Sequence, residues 1–177
     1  MSSPVRSALL IIDMQYGLYH APDKPWQREQ LLANIGSLVT RARRTGTLLL
    51  AARHTGPADS PIAAGSPLWQ LLPELALEQN DAIIFNKTRP SCFQGTELAA
   101  LLAQHDIQRL IICGMKTQYC VDSTVRAAAE RGLQCVLVAD AHSCADTPQL
   151  PASQIVAHHN ATLAAFASIQ PASEIQF

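Results

Sequence analysis

The chain lacks long apolar runs, basic clusters, internal repeats and low-complexity segments. No stretch approaches the roughly 20 apolar residues that a membrane-spanning helix requires. The 13 lysines and arginines are balanced by 14 aspartates and glutamates, for a net charge of −1, and they form no basic run. Because nucleic acids and anionic membranes attract basic surfaces, we expect neither among the partners of this protein.

The cysteines argue against a secreted disulfide protein, and the histidines argue against a zinc enzyme. Five cysteines at irregular spacing would leave one thiol unpaired in a secreted protein, so we expect free thiols in a reducing cytoplasm. The first six residues carry no apolar segment of the kind that signal peptides contain, which agrees with a cytoplasmic location. The histidines show none of the paired spacing with acids that zinc enzymes use, so we expect no metal ion.

What the chain does contain is an alternation of short apolar runs with amphipathic helical patterns. Its 177 residues, 48 % hydrophobic and 15 % charged, have a globular composition. The pattern predicts strands over 8–12, 47–52, 82–85, 110–113, 134–139 and 167–170, helices over 31–42, 96–102, 118–131 and 152–165, and a long loop over 56–67. Repeated strand–helix units predict one α/β domain over residues 1–177, a three-layer α/β/α arrangement with a mainly parallel, Rossmann-like sheet.

Three chemically distinct side chains follow separate predicted strands. Asp13 follows the first strand, Lys87 follows the third, and Cys120 begins the helix behind the fourth. Ligands of open parallel sheets bind outside the carboxyl ends of the strands. We therefore expect an acid, a cation and a thiol to meet at one edge of the sheet, where they would form a catalytic site.

Each of these residues also has a structural interpretation. Asp13 is compatible with a helix cap, Lys87 with a surface cation, and Cys120 with a thiol packed among apolar neighbours. The position of Cys120 favours chemistry, because the helix dipole and a nearby ammonium both stabilise a thiolate. We therefore expect a lowered pKa for Cys120 and a nucleophilic thiolate.

The sequence resembles the isochorismatase-like cysteine hydrolases over nearly its whole length. The segment LIICGMKTQYCVDSTVRAA, from Leu110, resembles the nucleophile segment of that family, and LIIDMQ, from Leu10, resembles its acid-bearing first strand. The lysine segment is matched by NK at 86–87 followed by SCFQGTEL at 91–98. Two further segments, VADAH at 138–142 and AHHNATL at 157–163, follow in the family's order.

The resemblance implies a catalytic triad of Asp13, Lys87 and Cys120. It also implies a cis peptide between Met115 and Lys116 and an oxyanion hole formed by the backbone amides of Lys116 and Cys120. Nicotinamidases of this family bind a metal through Asp-x-His after the second strand, but this chain has Ala52 in place of the aspartate. The resemblance therefore implies no cofactor and favours cleavage of an amide, ureido or carbamoyl C–N bond through a thioester.

Two other functions remain open at this stage. One is the vinyl-ether hydrolysis of isochorismatases, with Asp13 as acid, and the other is a non-catalytic or redox-sensing domain with a reactive thiol. Relatives are commonly homo-oligomers, so we expect a dimer or tetramer acting on a small-molecule substrate. Candidate substrate contacts are Gln15, Tyr16, Trp69, Phe93 and Tyr119.

Overall fold

The computed structural model describes residues 5–79 and 81–177. Its elements follow in the order β1 (Ser7–Ile12), α1 (Tyr16–Tyr19), α2 (Arg28–Thr45), β2 (Leu48–His54), β3 (Ala82–Lys87), α3 (Leu98–Gln104), β4 (Arg109–Met115), α4 (Asp122–Glu130), β5 (Gln134–Ser143), α5 (Ala152–Leu163) and β6 (Ser168–Gln170). A π-helical turn, Thr117–Val121, directly precedes α4 and is called the Cys120 turn below. No helix in the described ranges is long and apolar enough to cross a membrane.

Six strands form one parallel sheet in the order β3-β2-β1-β4-β5-β6. The predicted parallel, three-layer α/β architecture is thereby confirmed. The strand order reverses between β1 and β4, and such a switch point opens a crevice outside the carboxyl ends of the two strands. Asp13 follows β1 and the Cys120 turn follows β4, so the topology brings both to this crevice.

The apolar core consists of two layers, one on each face of the sheet. Leu9 and Ile11 pack toward α2, whereas Leu10 and Ile12 pack toward α3 and α4. Both faces of β1 are therefore buried, which explains why its sequence is a continuous apolar run without alternating polar residues. This double burial holds the central strands rigidly and fixes the positions of the residues at their ends.

Gly114 allows β1 and β4 to approach each other closely at the switch point. Its φ is +120°, and a Cβ built on it would lie 2.1 Å from the carbonyl oxygen of Ile12. No side chain fits there, because the obstructing atom belongs to the backbone of a buried strand. The β4–β5 ladder also shifts register between Ile112 and Gly114, just before the chain enters the Cys120 turn.

The structure departs from the sequence prediction mainly at the polar ends of elements. β3 continues to Lys87 and β5 to Ser143, each beyond its predicted end. The predicted helix over 118–131 is divided into the Cys120 turn and α4. The last residues of these strands are polar because they border the crevice. The apolar run that predicts a buried strand therefore ends before the strand itself.

Candidate active site

Asp13 directly follows β1 and has a backbone conformation that non-glycine residues rarely adopt. Its φ is 51°, and a residue held in this left-handed region costs about 1–3 kcal/mol. The surrounding backbone maintains the geometry, since the Asp13 amide donates to the carbonyl of Ala52 at 3.0 Å and its carbonyl accepts from the amide of Gln15 at 2.8 Å. The residue is 1 % exposed, so the carboxylate is fixed inside the protein.

The ammonium of Lys87 lies among the polar groups of the site. Its side chain starts at the end of β3 and is fully buried, and Nζ lies 2.8 Å from Asp13 Oδ2. Nζ also lies 3.2 Å from Cys120 Sγ and 3.2 Å from His54 Nδ1, and it donates to the carbonyl of Arg89 at 3.1 Å. One cation therefore touches both the acid and the thiol.

Cys120 is the fourth residue of the Cys120 turn. The turn closes around the carbonyl of Lys116, which accepts hydrogen bonds from the amides of Tyr119 and Val121, both at 3.2 Å. The peptide bond between Met115 and Lys116 is cis. All five cysteines are free thiols, and Cys120 is partly exposed whereas the other four are buried. Cys120 is therefore the thiol that a ligand can reach.

Burial and charge together set the protonation of the three groups. Burial raises the pKa of Asp13 and outweighs the opposing effect of Lys87. Burial opposes the charge on Lys87, but Asp13 and Cys120 outweigh it and raise the pKa of Lys87. Burial, together with the Asp13 carboxylate, raises the pKa of Cys120 to about 12. The expected lowering of the Cys120 pKa is therefore wrong for the resting site, where the thiol keeps its proton at neutral pH.

The resting site is thus an ion pair beside a neutral thiol. Apart from the ion pair with Lys87, neither carboxylate oxygen of Asp13 has a hydrogen-bond partner among the described residues, so one is available to accept a proton. If the thiol proton moves to Asp13, the thiolate pairs with the same ammonium. The net charge is zero before and after, which avoids the high cost of an unpaired buried charge. The arrangement can form a nucleophile when a substrate arrives.

His54, at the end of β2, is a further neighbour of the three groups. One ligand atom each from Asp13, His54 and Cys120 lie within 4.8 Å of one another, a set that suits a transition metal. However, Lys87 Nζ lies within 3.2 Å of an atom of each of these residues, so a cation of the chain itself lies among them. The ammonium only donates, so His54 Nδ1 accepts, and burial with the Lys87 charge lowers the pKa of His54.

Gln15 and Trp69, two predicted substrate contacts, are tied to neighbouring segments. The amide of Gln15 donates to the carbonyls of His54 and Trp69, both at 2.9 Å, and its oxygen accepts from the amide of His54 at 2.8 Å. The Trp69 indole donates to Thr55 Oγ1 at 2.9 Å, and the Arg53 guanidinium stacks 3.3 Å from the ring centroid. Gln15 therefore joins the end of β2 to the following loop through all of its amide atoms.

The other three predicted contacts differ in exposure. Phe93 is buried, and the guanidinium of Arg131 lies 4.5 Å from its ring centroid. Tyr16 and Tyr119 are 44 % and 53 % exposed, and Tyr119 directly precedes Cys120. The two tyrosines are free to contact a ligand, whereas Phe93 contributes to the apolar layer beneath the site.

The fold and the site together define a doubly wound α/β protein with a buried acid, a buried lysine and an accessible thiol. The sequence model of the Isochorismatase domain matches residues 7–170, so the chain belongs to the isochorismatase family of hydrolases. Streptothricin hydrolase from Streptomyces noursei is 30 % identical over 144 residues, which are 81 % of this chain and 52 % of that protein. The chain thus spans about half the length of this relative.

Solved structures have the same fold. An isochorismatase from Pseudomonas putida KT2440 superimposes with a TM-score of 0.89 at 29 % identity, covering 99 % of this chain and 94 % of the other. N-carbamoylsarcosine amidase from Thermoplasma acidophilum superimposes with a TM-score of 0.81 at 18 % identity, covering 98 % and 100 % of the two chains. At that identity the amidase demonstrates a shared fold only.

Proposed function

We propose that this chain is a cysteine-dependent hydrolase that cleaves a C–N bond of a small amide, ureido or carbamoyl compound. The observation that carries the proposal is the contact of one buried ammonium with both an acid and a thiol. Lys87 Nζ lies 2.8 Å from Asp13 Oδ2 and 3.2 Å from Cys120 Sγ. This geometry allows a proton to pass from thiol to acid while Lys87 remains charged and stabilises whichever anion is present.

In the proposed first half-reaction, Asp13 takes the thiol proton as the sulfur of Cys120 attacks the carbonyl carbon. The carbonyl oxygen gains negative charge and is bound by the backbone amides of Lys116 and Cys120. One such donor is typically worth about 3 kcal/mol in rate. The protonated Asp13 then gives its proton to the leaving nitrogen, the C–N bond breaks, and an acyl thioester remains on Cys120.

The second half-reaction uses the same groups with water as the nucleophile. Asp13 deprotonates the water as it attacks the thioester carbonyl, and the same backbone amides bind the second oxyanion. When the C–S bond breaks, the proton returns to the sulfur and the acid product leaves. Each proton that Asp13 accepts is given up again, so the site returns to an ion pair beside a neutral thiol.

The relatives support hydrolysis. One is by name a streptothricin hydrolase, and the Isochorismatase domain model matches most of the chain. The choice of a C–N bond rests on the accessible thiol beside Lys87 and Asp13, and the substrate of that relative is not extended to this chain. Tyr16, Trp69 and Tyr119 are our proposed substrate contacts. Gln15 holds the Trp69 backbone, and Phe93 belongs to the apolar layer behind the site.

Three accompanying properties are proposed with the activity. We propose that the enzyme needs no metal, because Lys87 already lies among the ligand atoms that a metal would use. We propose a cytoplasmic homo-oligomer, a dimer or tetramer, and no contact with nucleic acid or membrane. Activity that survives prolonged dialysis against a chelator, and a light-scattering mass well above the 19.1 kDa of one chain, are the expected results.

Vinyl-ether hydrolysis is the second candidate function, and one observation favours it. Burial raises the pKa of Asp13, which suits a general acid that protonates an ether or its double bond. In that reaction Cys120 would be a bystander. The two functions therefore differ in whether the Cys120→Ala variant remains active.

A screen of amides, ureas and carbamoyl compounds for ammonia release tests the proposal. We expect wild type and a Cys135→Ala control, which removes a buried thiol at the start of β5, to hydrolyse the same compounds. Cys120→Ala is expected to be inactive, and intact-mass analysis of quenched wild type is expected to show an acyl adduct on Cys120. Amide hydrolysis at the wild-type rate by Cys120→Ala would exclude the covalent mechanism.

A further inference from the structure

A second polar cluster, with two buried members and one partly buried member, contacts the Cys120 turn and takes no part in the proposed reaction. It consists of Thr117, His142 and Asn160, called the His142 cluster below. His142 Nδ1 lies 2.9 Å from Thr117 Oγ1, and Nε2 lies 2.9 Å from Asn160 Oδ1. Asn160 Nδ2 donates to the carbonyl of Ala139 at 3.0 Å. The cluster links α5 and β5 to the first residue of the turn that carries Cys120.

The carbonyl of Ala139 fixes the direction of every hydrogen bond in this cluster. A carbonyl only accepts, so the Asn160 amide nitrogen points at it and the Asn160 oxygen faces His142. That oxygen also only accepts, so His142 Nε2 carries the proton. In a neutral ring Nδ1 is then the acceptor, and the hydroxyl of Thr117 donates to it. One orientation satisfies the whole chain.

Burial explains why the ring is neutral. His142 is 3 % exposed and Thr117 is fully buried, and burial lowers the pKa of His142 to about 4. Its hydrogen bond with Asn160 and the charge of Asp140 oppose this lowering, whereas His159 adds to it. A protonated ring would place a second N–H against the Thr117 hydroxyl and reverse that bond. The cluster therefore keeps one arrangement across the neutral range.

The backbone connects the His142 cluster to the thiol at two points. His142 pairs with Gly114 across the β4–β5 ladder, and Thr117 lies three residues before Cys120 in the same turn. We infer that His142 is a positioning residue, whose Nδ1 holds the Thr117 hydroxyl and so holds Cys120 within reach of Lys87 and Asp13. The inference rests on the proposed function only in taking Cys120 as the nucleophile.

Substitutions at Thr117 test the hydroxyl that joins the cluster to the turn. Thr117→Val keeps the shape and removes the donor, whereas Thr117→Ser keeps the donor. A displacement of about 1 Å at a reacting group costs roughly 100-fold in rate, so we expect kcat to fall about 10- to 100-fold in Thr117→Val with little change in KM. Thr117→Ser is expected to recover most of that loss. Equal kcat values for the two variants would overturn the inference.

Substitutions at His142 separate its two nitrogens. The oxygen of His142→Asn takes the place of Nδ1 and still accepts from Thr117, whereas the amide of His142→Gln reaches toward Asn160 and leaves Thr117 without an acceptor. We expect His142→Gln to lose kcat as Thr117→Val does, and His142→Asn to recover to within about threefold of wild type. The reverse order, or equal losses at matched thermal stability, would show that the ring has only a packing role.

Alkylation of Cys120 by iodoacetamide provides a readout that needs no substrate. A turn released from His142 exposes the thiol, so we expect alkylation at pH 8 to speed up severalfold in Thr117→Val and His142→Gln, but not in Thr117→Ser or in the exposed control His158→Gln. This pattern, found with a wild type that hydrolyses no amide, would reject the proposed function and keep the inference. Uniform alkylation rates across the set would reject the inference whatever the activity.

Discussion

Two largely buried polar clusters meet at the Cys120 turn, and they differ in charge and in hydrogen bonding. The first, Asp13 with Lys87 and Cys120, is charged, and within residues 5–79 and 81–177 the carboxylate oxygens of Asp13 have no hydrogen-bond partner beyond the ion pair. The second, the His142 cluster, is neutral, and each ring nitrogen of His142 has a partner at 2.9 Å. A group that must exchange a proton needs an unused lone pair, whereas a group that must hold a position needs none.

The comparison also explains where each cluster is anchored. Asp13 directly follows β1, which is buried on both faces, and Lys87 ends β3, the edge strand that pairs with β2. The His142 cluster joins β5 and α5 to the turn, whose residues Thr117–Val121 pair with no strand in the described part of the chain. Asp13 and Lys87 are therefore placed by the sheet, whereas the turn that carries Cys120 is held by its backbone hydrogen bonds to the Lys116 carbonyl and by the contact of Thr117 with His142.

Removing the cation of the charged cluster is expected to have the largest effect. Lys87→Met leaves the Asp13 carboxylate buried without its partner, and breaking a buried ion pair from one side costs about 3–5 kcal/mol. We also expect hydrolysis to fall at least about 100- to 1000-fold, because the thiolate loses its stabilising charge. Urea unfolding and steady-state kinetics measure the two effects.

Lys24→Met is the matched control, because Lys24 is an exposed lysine and its loss should change neither measurement. An unchanged unfolding midpoint in Lys87→Met would show that the Asp13–Lys87 contact contributes nothing to stability. The description of the first cluster as a buried ion pair would then be wrong.

Gly114 lies between the two clusters, and Gly114→Ala should disturb both. The new Cβ would lie 2.1 Å from the carbonyl oxygen of Ile12, at a φ of +120°. Overpacking and backbone strain together predict a loss of about 3 kcal/mol or more in the free energy of unfolding. In contrast, Gly36→Ala in α2 meets no atom within 4 Å and should stabilise the helix by about 0.5–1 kcal/mol. Similar unfolding curves for the two variants would refute this account of Gly114.

The sequence was sufficient for the parallel sheet and for bringing Asp13, Lys87 and Cys120 to one edge. Buried strands produce continuous apolar runs, and the residues that follow those runs must meet at the carboxyl ends. The protonation of the site was not predictable in this way. The raised pKa of Cys120 depends on its burial and on its distance from the Asp13 carboxylate, and both are known only from the folded structure. The role of His142 was also missed, because no sequence pattern indicates that its two ring nitrogens contact Thr117 and Asn160.

The neutral cluster should respond to acid through His142. Burial lowers its pKa from 6.5 to about 4, so the unfolded chain binds a proton that the folded protein does not. Its contribution to stability is complete above pH 6.5 and is lost as the pH falls toward 4. At 1.36 kcal/mol per unit, wild type should lose about 2 kcal/mol between pH 7.5 and pH 5 through this group.

His142→Asn removes that titration and should lose about 2 kcal/mol less than wild type over the same range. Urea unfolding of the two proteins at pH 7.5 and pH 5 gives the comparison. If both proteins lose the same free energy, His142 is either exposed or already charged in the folded state, and the contrast between the two clusters fails.

The central claim is that burial and the Asp13 carboxylate together keep Cys120 protonated at rest, and that Asp13 accepts the thiol proton during attack. The most direct test is the pH dependence of Cys120 alkylation in wild type and Asp13→Asn, with Asp122→Asn as a control carboxylate two residues from the thiol. The wild-type rate should still be rising at pH 10, since its thiol has a pKa of about 12. Asp13→Asn should lose hydrolysis about 100- to 10,000-fold yet form the thiolate at lower pH, because a like charge is gone while Lys87 remains. An alkylation profile that is unchanged in Asp13→Asn, or shifted to higher pH, would contradict the account.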